Sequence, residues 1–319
     1  MHYILLIIGF ILLVKCADIF VDGSVGVAEH FNVPSFIIGL TIVAMGTSAP
    51  EAAVSITAAL GGENDIATGN IIGSNIFNLL IVLGVCAVIK PIRIEHTLLA
   101  RDFPLNILIT ILMLLFSLDF IFPAGPLIDF CRADGIVFLL LFLIYLLMLT
   151  LPQARKNISR VCAQNVHITK PIPVIPALLK IVFGLAGIIL GGKLVVSAAS
   201  DIAISFGISA NLIGLTIVAI GTSLPELITS IVAALKGESD LAIGNVLGSN
   251  IFNVLFVLGM SCMIHPIIIN TISIFDMIIL LAVTAITMLF FWSNRTLNRI
   301  EGIILILLYI VYTVFIILR

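Results

Sequence analysis

Apolar runs of about 20 residues recur from one end of this chain to the other, each long enough to cross a ~30 Å hydrocarbon core as a helix. Only 10% of the 319 residues are charged, 61% are hydrophobic, and the mean hydropathy is +1.31. A water-facing surface needs roughly a quarter of its residues charged, so lipid is the solvent for most of this chain. In lipid every main-chain polar group must find its partner within the protein, which leaves helices or closed barrels. Runs of this length fit helices. The start, MHYILLIIGFILLVK, lacks a positive segment before its apolar run and a clear small-residue cleavage site after it. It reads as a first membrane helix rather than a removed signal peptide.

Polar punctuation divides the chain into ten spans, at about 3–28, 35–60, 66–89, 103–122, 135–151, 177–204, 210–235, 241–264, 273–292 and 300–318. The expected fold is therefore an all-α polytopic membrane protein. The longest hydrophilic stretch, 152–176, carries Pro152, Arg155, Lys156, Arg160, Lys170, Pro171 and Pro173 and separates the spans five from five. Ten Lys and Arg residues lie in loops after odd-numbered spans, against two, Arg132 and Arg319, on the other side. Basic loops stay cytoplasmic, so the 152–176 linker is expected inside and both termini outside. Five spans per half is an odd number, which inserts the second half upside down relative to the first.

The two halves also share residues. Gly39-LTIVAMGTSAP-Glu51 returns as Gly214-LTIVAIGTSLP-Glu226, identical at 11 of 13 positions, and Gly69-NIIGSNIFNLLIVL-Gly84 returns as Gly244-NVLGSNIFNVLFVL-Gly259, identical at 12 of 16. Both pairs keep one offset of 175 residues. The shared residues are Gly, Thr, Ser, Pro, Glu and Asn, which a lipid-adapted composition does not repeat by chance. The expected organisation is a first repeat at 1–151, the linker at 152–176 and an inverted second repeat at 177–319. Interrupted helices at matching places in inverted repeats point to a midplane binding site in a transporter.

The residues in these segments suit a hard cation. Glu51 falls near the middle of its span, where a carboxylate is costly unless compensated. Pro50 has no N–H and disturbs the helix around Gly46 and Thr47, and Thr47 and Ser48 add hydroxyls within a turn. Free main-chain oxygens at this depth are tolerated where they line a polar cavity. Carboxylate, hydroxyl and carbonyl oxygens are what Ca²⁺ or Na⁺ requires and what soft metals do not. Ser74 and Asn78, four residues apart, project from one side of the next span. Gly69 and Gly73 allow a close helix contact, and Asn75 lies on another face as a candidate helix–helix group. The second half repeats the set with Thr222, Ser223, Glu226, Ser249 and Asn253. Pro-kinked helices with Ser and Thr are common in membrane bundles; the recurrence of the whole set with a mid-membrane Glu sets this one apart. A bound Ca²⁺, two Na⁺ or two protons would each neutralise two Glu, and competition among them is the basis of exchange.

At these motifs the chain resembles the calcium/cation antiporter superfamily, in its prokaryotic sodium/calcium exchanger-like branch. The resemblance covers the whole chain and implies ten helices with the N-terminus outside, an inner-membrane location in a bacterium or archaeon, and exchange of Ca²⁺ for Na⁺. Ca²⁺/H⁺ exchange is the alternative, and a cation channel is the rival of a different class. It implies ion ligands at Thr47, Ser48, Glu51, Ser74, Asn78, Thr222, Ser223, Glu226, Ser249 and Asn253, with the carbonyls of Ala44 and Ala219 helping to hold sodium. Spans 1 and 6 would slide across a static core. An archaeal exchanger of this family has Asp where this chain has Asn253, so this site has two carboxylates rather than three.

Other features carry less. A net charge of −2 favours no acidic or basic macromolecule, and no nucleic-acid partner is expected. The expected partners are membrane lipid and the transported cations, with a monomer as the working unit and no cofactor. Five scattered Cys and five His show no metal-ligand spacing, and no HExxH or GxSxG motif is present, so an enzyme is not expected. Asp18 and Lys193 occupy equivalent repeat positions and are expected to reach an interface separately. Glu63, Asp65, Glu238 and Asp240 are expected to be solvated loop charges.

Overall fold

The computed structural model describes residues 2–31, 33–118, 129–150, 173–206 and 219–318. In the first repeat α1 is His2–His30, α2 Ser35–Thr47, α3 Ala49–Leu60, α4 Asn64–Ile89, α5 Leu98–Ser117 and α6 Arg132–Thr150. In the second, α7 is Val174–Ser205, α8 Ala219–Thr222, α9 Leu224–Lys236, α10 Ser239–Ile264, α11 Thr271–Asn294 and α12 Arg299–Leu318. Among the described residues eight helices are long and apolar enough to cross a membrane, and the bent pair α2–α3 makes a ninth. The tenth expected span, 210–235, falls partly in 207–218, outside the described residues, as does most of the expected 152–176 linker.

Observed spans match the expected ones to within a few residues, with one instructive exception. The fourth was expected to begin at 103, because Arg101 and Asp102 read as loop. It begins at Leu98, since the Arg101 guanidinium pairs with the fully buried Asp102 carboxylate at 2.9 Å and Asn106 bonds the Asp102 carbonyl. A charge that is paired and hydrogen-bonded can stay inside a helix bundle.

The centre of the molecule is the pair α4 and α10, the helices that carry the GNxxGSN segments. Their apolar windows are 78% and 94% buried, against 17–44% for the other long helices. α2 lies across α10 with backbone against backbone: a Cβ at Gly39 would stand 2.7 Å from the Leu241 carbonyl oxygen, and one at Gly244 2.7 Å from that of Phe36. Small residues are what permit such contacts between membrane helices. At Gly69 and Gly73, expected to allow a close helix contact, no described atom stands within 4 Å of an added Cβ.

Around this core, α1 and α7 run against each other as a separate pair. A Cβ at Gly184 would stand 2.8 Å from the Phe20 backbone, and one at Gly191 2.9 Å from the Leu13 nitrogen. The outward faces of α1, α6, α7 and α12 carry Ile, Leu, Val and Phe, which lipid solvates.

Two short antiparallel ladders tie the repeats together. β1 (Ile92–Arg93) pairs with β4 (Thr296–Leu297), and β2 (Asp129–Phe130) pairs with β3 (Ile267–Ile268). Each joins a strand from one repeat to a strand from the other, so the repeats interlock. After each outer strand the chain turns back into a helix in the same way. Asp134 Oδ2 accepts from the Cys131 N–H and Glu301 Oε2 from the Asn298 N–H, both at 2.8 Å. Such first-turn acids satisfy main-chain donors that the helix leaves over.

Candidate cation site

The helix carrying Glu51 breaks at Ser48 (φ −84°, ψ 8°), and α2 and α3 meet at a 50° bend. Ser223 has nearly the same conformation (φ −91°, ψ 5°) between α8 and α9. Each break starts a new helix in which Pro occupies the first turn, where its missing N–H costs nothing. Glu51 and Glu226 then also fall in a first turn, at the positive end of a helix dipole. The GTS-x-PE spacing thus makes a helix N-terminus inside the membrane layer and sets a carboxylate at it.

The two breaks face each other, and their hydrogen bonds cross between repeats. Ser48 Oγ donates to Glu226 Oε1 at 2.6 Å, and Ser223 Oγ donates to Glu51 Oε1 at 3.0 Å. Ser48 and Ser223 hold the N-cap positions of α3 and α9 yet cap neither helix, because their hydroxyls serve the opposite carboxylate. Both Glu side chains are buried at 1% exposure.

The other expected residues converge on the same place. Ser249 Oγ reaches Glu226 Oε1 at 3.5 Å, whereas Ser74 Oγ donates to the Asn70 carbonyl at 2.7 Å. Thr47 Oγ1 bonds Asn245 Oδ1 at 3.1 Å and lies beside Glu226, while Thr222 lies beside Glu51. The Ala44 carbonyl accepts from the Ser48 N–H at 3.0 Å and lies 3.4 Å from Thr47 Oγ1, and Ala219 opens α8 at the matching point. Asn78 and Asn253 each begin a π-helical turn, Asn78–Val82 and Asn253–Leu258, and face across the α4–α10 contact. Single π turns of this kind are frequent at functional sites.

Four buried oxygens here have no hydrogen-bond partner among the described residues: Glu51 Oε2, Glu226 Oε2, Asn78 Oδ1 and Asn253 Oδ1. They form two equivalent pairs, one pair from each repeat. An unpaired buried acceptor is costly, and a bound cation is one way to offset that cost. Among the described residues no three of His, Cys, Asp and Glu cluster as metal ligands. The donors here are two carboxylates and neutral oxygens, a hard set.

Sequence reasoning left out a second layer. Asn70 Nδ2 donates to the Glu51 carbonyl at 3.2 Å and to Ser55 Oγ at 2.8 Å, and Asn245 Nδ2 does the same for Glu226 and Ser230 at 3.4 and 2.9 Å. These two Asn anchor the main chain of the carboxylate residues. Asn70 and Asn245 head the GNxxGSN segments, and Ser55 and Ser230 share the 175-residue offset, so the repeat itself was their signal. Asn75, expected at a helix contact, donates to the Asn250 carbonyl on α10 at 3.4 Å.

Two expectations outside the site change. Asp18 does not reach an interface alone: its carboxylate meets Lys236 at 2.9 Å, and Asp22 bonds the same ammonium. Glu238 and Asp65 are not merely solvated: Ser35 Oγ donates to Glu238 at 3.0 Å and Asn270 Nδ2 to Asp65 Oδ1 at 2.7 Å, both across the repeats.

The sequence matches the model of a family described as sodium/calcium exchanger protein over residues 1–151 and 176–318. A putative antiporter, CaxA of Alkalimonas amylolytica, is 42% identical over 315 residues, covering 97% of this chain and 96% of the relative. Sodium/calcium exchanger MaX1 of Methanosarcina acetivorans is 29% identical over 341 residues, covering 98% and 97%. Among solved structures, the sodium-calcium exchanger NCX_Mj soaked with Na⁺ and Ca²⁺ superposes with a TM-score of 0.83 at 33% identity, covering 98% of this chain and 97% of that one.

Proposed function

The chain belongs to the sodium/calcium exchanger family, and on that premise we propose that it moves Ca²⁺ across a membrane in exchange for Na⁺ at a site built around Glu51 and Glu226. It is a membrane transporter of the cation-exchanging kind and not an enzyme. The observation that supports the finer reading is the set of four buried oxygens, from Glu51, Glu226, Asn78 and Asn253, that have no partner among the described residues.

Ca²⁺ takes six to eight oxygen ligands in flexible geometry. The two carboxylates neutralise one Ca²⁺ or two Na⁺, and the two amide oxygens add neutral ligands. The hydroxyls of Thr47, Ser48, Ser74, Thr222, Ser223 and Ser249 and the carbonyls of Ala44 and Ala219 complete the proposed shell. Ions sharing these ligands compete, and competition for one site is what couples their movements. In an inverted repeat the two halves exchange conformations, which opens the same site first to one side and then to the other. The tight α1–α7 pair is the element that would slide over the α4–α10 core. The proposed setting is a prokaryotic inner membrane, with basic loops cytoplasmic and both termini outside.

The experiment is ⁴⁵Ca²⁺ uptake into proteoliposomes under an outward Na⁺ gradient and, separately, under a pH gradient. Uptake with Na⁺ alone is expected. Uptake with the pH gradient alone would replace Na⁺ by H⁺ as counter-ion, and flux that persists with neither would make the protein a channel.

A further inference from the structure

Among the described residues Asn75 and Asn250 bond main-chain carbonyls and other amides, and these bonds leave neither side chain free to turn over. Asn75 Nδ2 donates to the Asn250 main-chain carbonyl at 3.4 Å, and Asn250 Nδ2 donates to that of Asn75 at 3.3 Å. A carbonyl only accepts, so each contact fixes the NH₂ end of one amide. The Oδ1 ends must then accept. Asn75 Oδ1 takes a bond from Asn253 Nδ2, and Asn250 Oδ1 one from Asn78 Nδ2, both at 3.1 Å. All four side chains are at most 3% exposed, so water offers no alternative partner.

This order propagates inward. With the NH₂ ends of Asn78 and Asn253 turned to their neighbours, Oδ1 is the end each presents on the other side, and those are two of the four oxygens without a partner among the described residues. A turned amide would point two N–H donors at the cation instead. We propose that Asn75 and Asn250 are positioning residues that decide which end of Asn253 and Asn78 faces the transported cation. The inference rests on reading the Glu51–Glu226 region as the Ca²⁺ site.

The arrangement also bears on the charge of the site. An ionised Asp at 253 would set an acceptor against Asn75 Oδ1. Restoring a donor there requires turning Asn75 over, which surrenders its bond to the Asn250 carbonyl. The asparagine quartet therefore favours an amide at 253 and a site with two carboxylates.

The test is a double-mutant cycle on Ca²⁺ affinity, measured by calorimetry on purified, monodisperse protein: wild type, Asn75→Ala, Asn253→Ala and the double variant. Asn75→Ala is expected to weaken binding about tenfold and to do little further in the Asn253→Ala background, because it acts through that residue. Equal weakening in both backgrounds, or none in either, would overturn the proposal. The mirrored cycle of Asn250→Ala with Asn78→Ala reads the same question if Asn75→Ala does not fold. A wild type that binds no Ca²⁺ would instead sink the site reading, so the two failures are distinct.

Discussion

Ser48 and Glu226 lie 178 residues apart and in opposite repeats, yet the serine hydroxyl donates to the carboxylate at 2.6 Å. Its counterpart, Ser223 to Glu51, is longer at 3.0 Å. A hydrogen bond to a charged group contributes about 1.5–3 kcal/mol. Ser48→Ala is expected to raise the KM for Ca²⁺ roughly tenfold, with Ser223→Ala having a smaller effect. Steady-state ⁴⁵Ca²⁺ uptake measures both, and an unchanged KM in Ser48→Ala would show that the hydroxyl does not serve the bound state.

Asn70 and Asn245 hold the main chain of the two glutamates rather than their carboxylates. Removing either leaves a carbonyl and a serine hydroxyl short of a donor, a loss of about 1–3 kcal/mol in a buried place. Asn245→Ala is expected to lower the thermal midpoint of the detergent-purified protein more clearly than Asn70→Ala, because its site is fully buried and Thr47 also bonds to it. Equal midpoints for wild type and Asn245→Ala would refute this support role.

Much of this was legible beforehand because the repeat makes two copies of each essential residue. The spans, the inversion and the convergence of Glu51 with Glu226 follow from lipid as solvent and from the 175-residue offset. The crossing of the serine bonds did not. A spacing along one helix cannot say that the Ser48 hydroxyl leaves its own helix for the opposite repeat. Asn75 was legible as a helix contact, but its bond to Asn253 depends on the α4–α10 approach, which side-chain periodicity does not encode. The Arg101–Asp102 pair hid the start of α5 for the opposite reason: as sequence, two adjacent charges look like loop, and only their mutual neutralisation keeps them in the bundle.

Lys236 at the end of α9 binds Asp18 and Asp22 of α1, joining the α1–α7 pair to the core. The inversion-related positions are Gly61, Lys193 and Ser197, which cannot form the same contact. If the repeats exchange conformations as proposed, the tie belongs to one access state and not to its mirror. Exposed pairs are worth at most about 1 kcal/mol each, so Lys236→Met is expected to shift the balance of access states by roughly fivefold. The ratio of apparent Ca²⁺ affinities measured from the two membrane sides reports this shift, and an unaltered ratio would count against it.

Gly39 packs its backbone on α10, where a Cβ would lie 2.7 Å from the Leu241 carbonyl. Overpacking of this kind costs typically 1–3 kcal/mol. Gly39→Val is expected to lower the thermal midpoint, whereas Gly61→Ala, whose nearest neighbour is at 3.5 Å, is expected to leave it in place. Comparable midpoints for the two would contradict the close α2–α10 contact.

Glu51 and Glu226 are proposed to bind one Ca²⁺ together, in competition with Na⁺. Equilibrium Ca²⁺ binding to the purified wild type, Glu51→Gln and Glu226→Gln, each with and without Na⁺, tests it most directly. One Ca²⁺ per chain is expected in the wild type, displaced by Na⁺, with loss of that binding in both variants while they remain folded. Binding retained in either glutamine variant, or Ca²⁺ binding that Na⁺ does not displace, would contradict it.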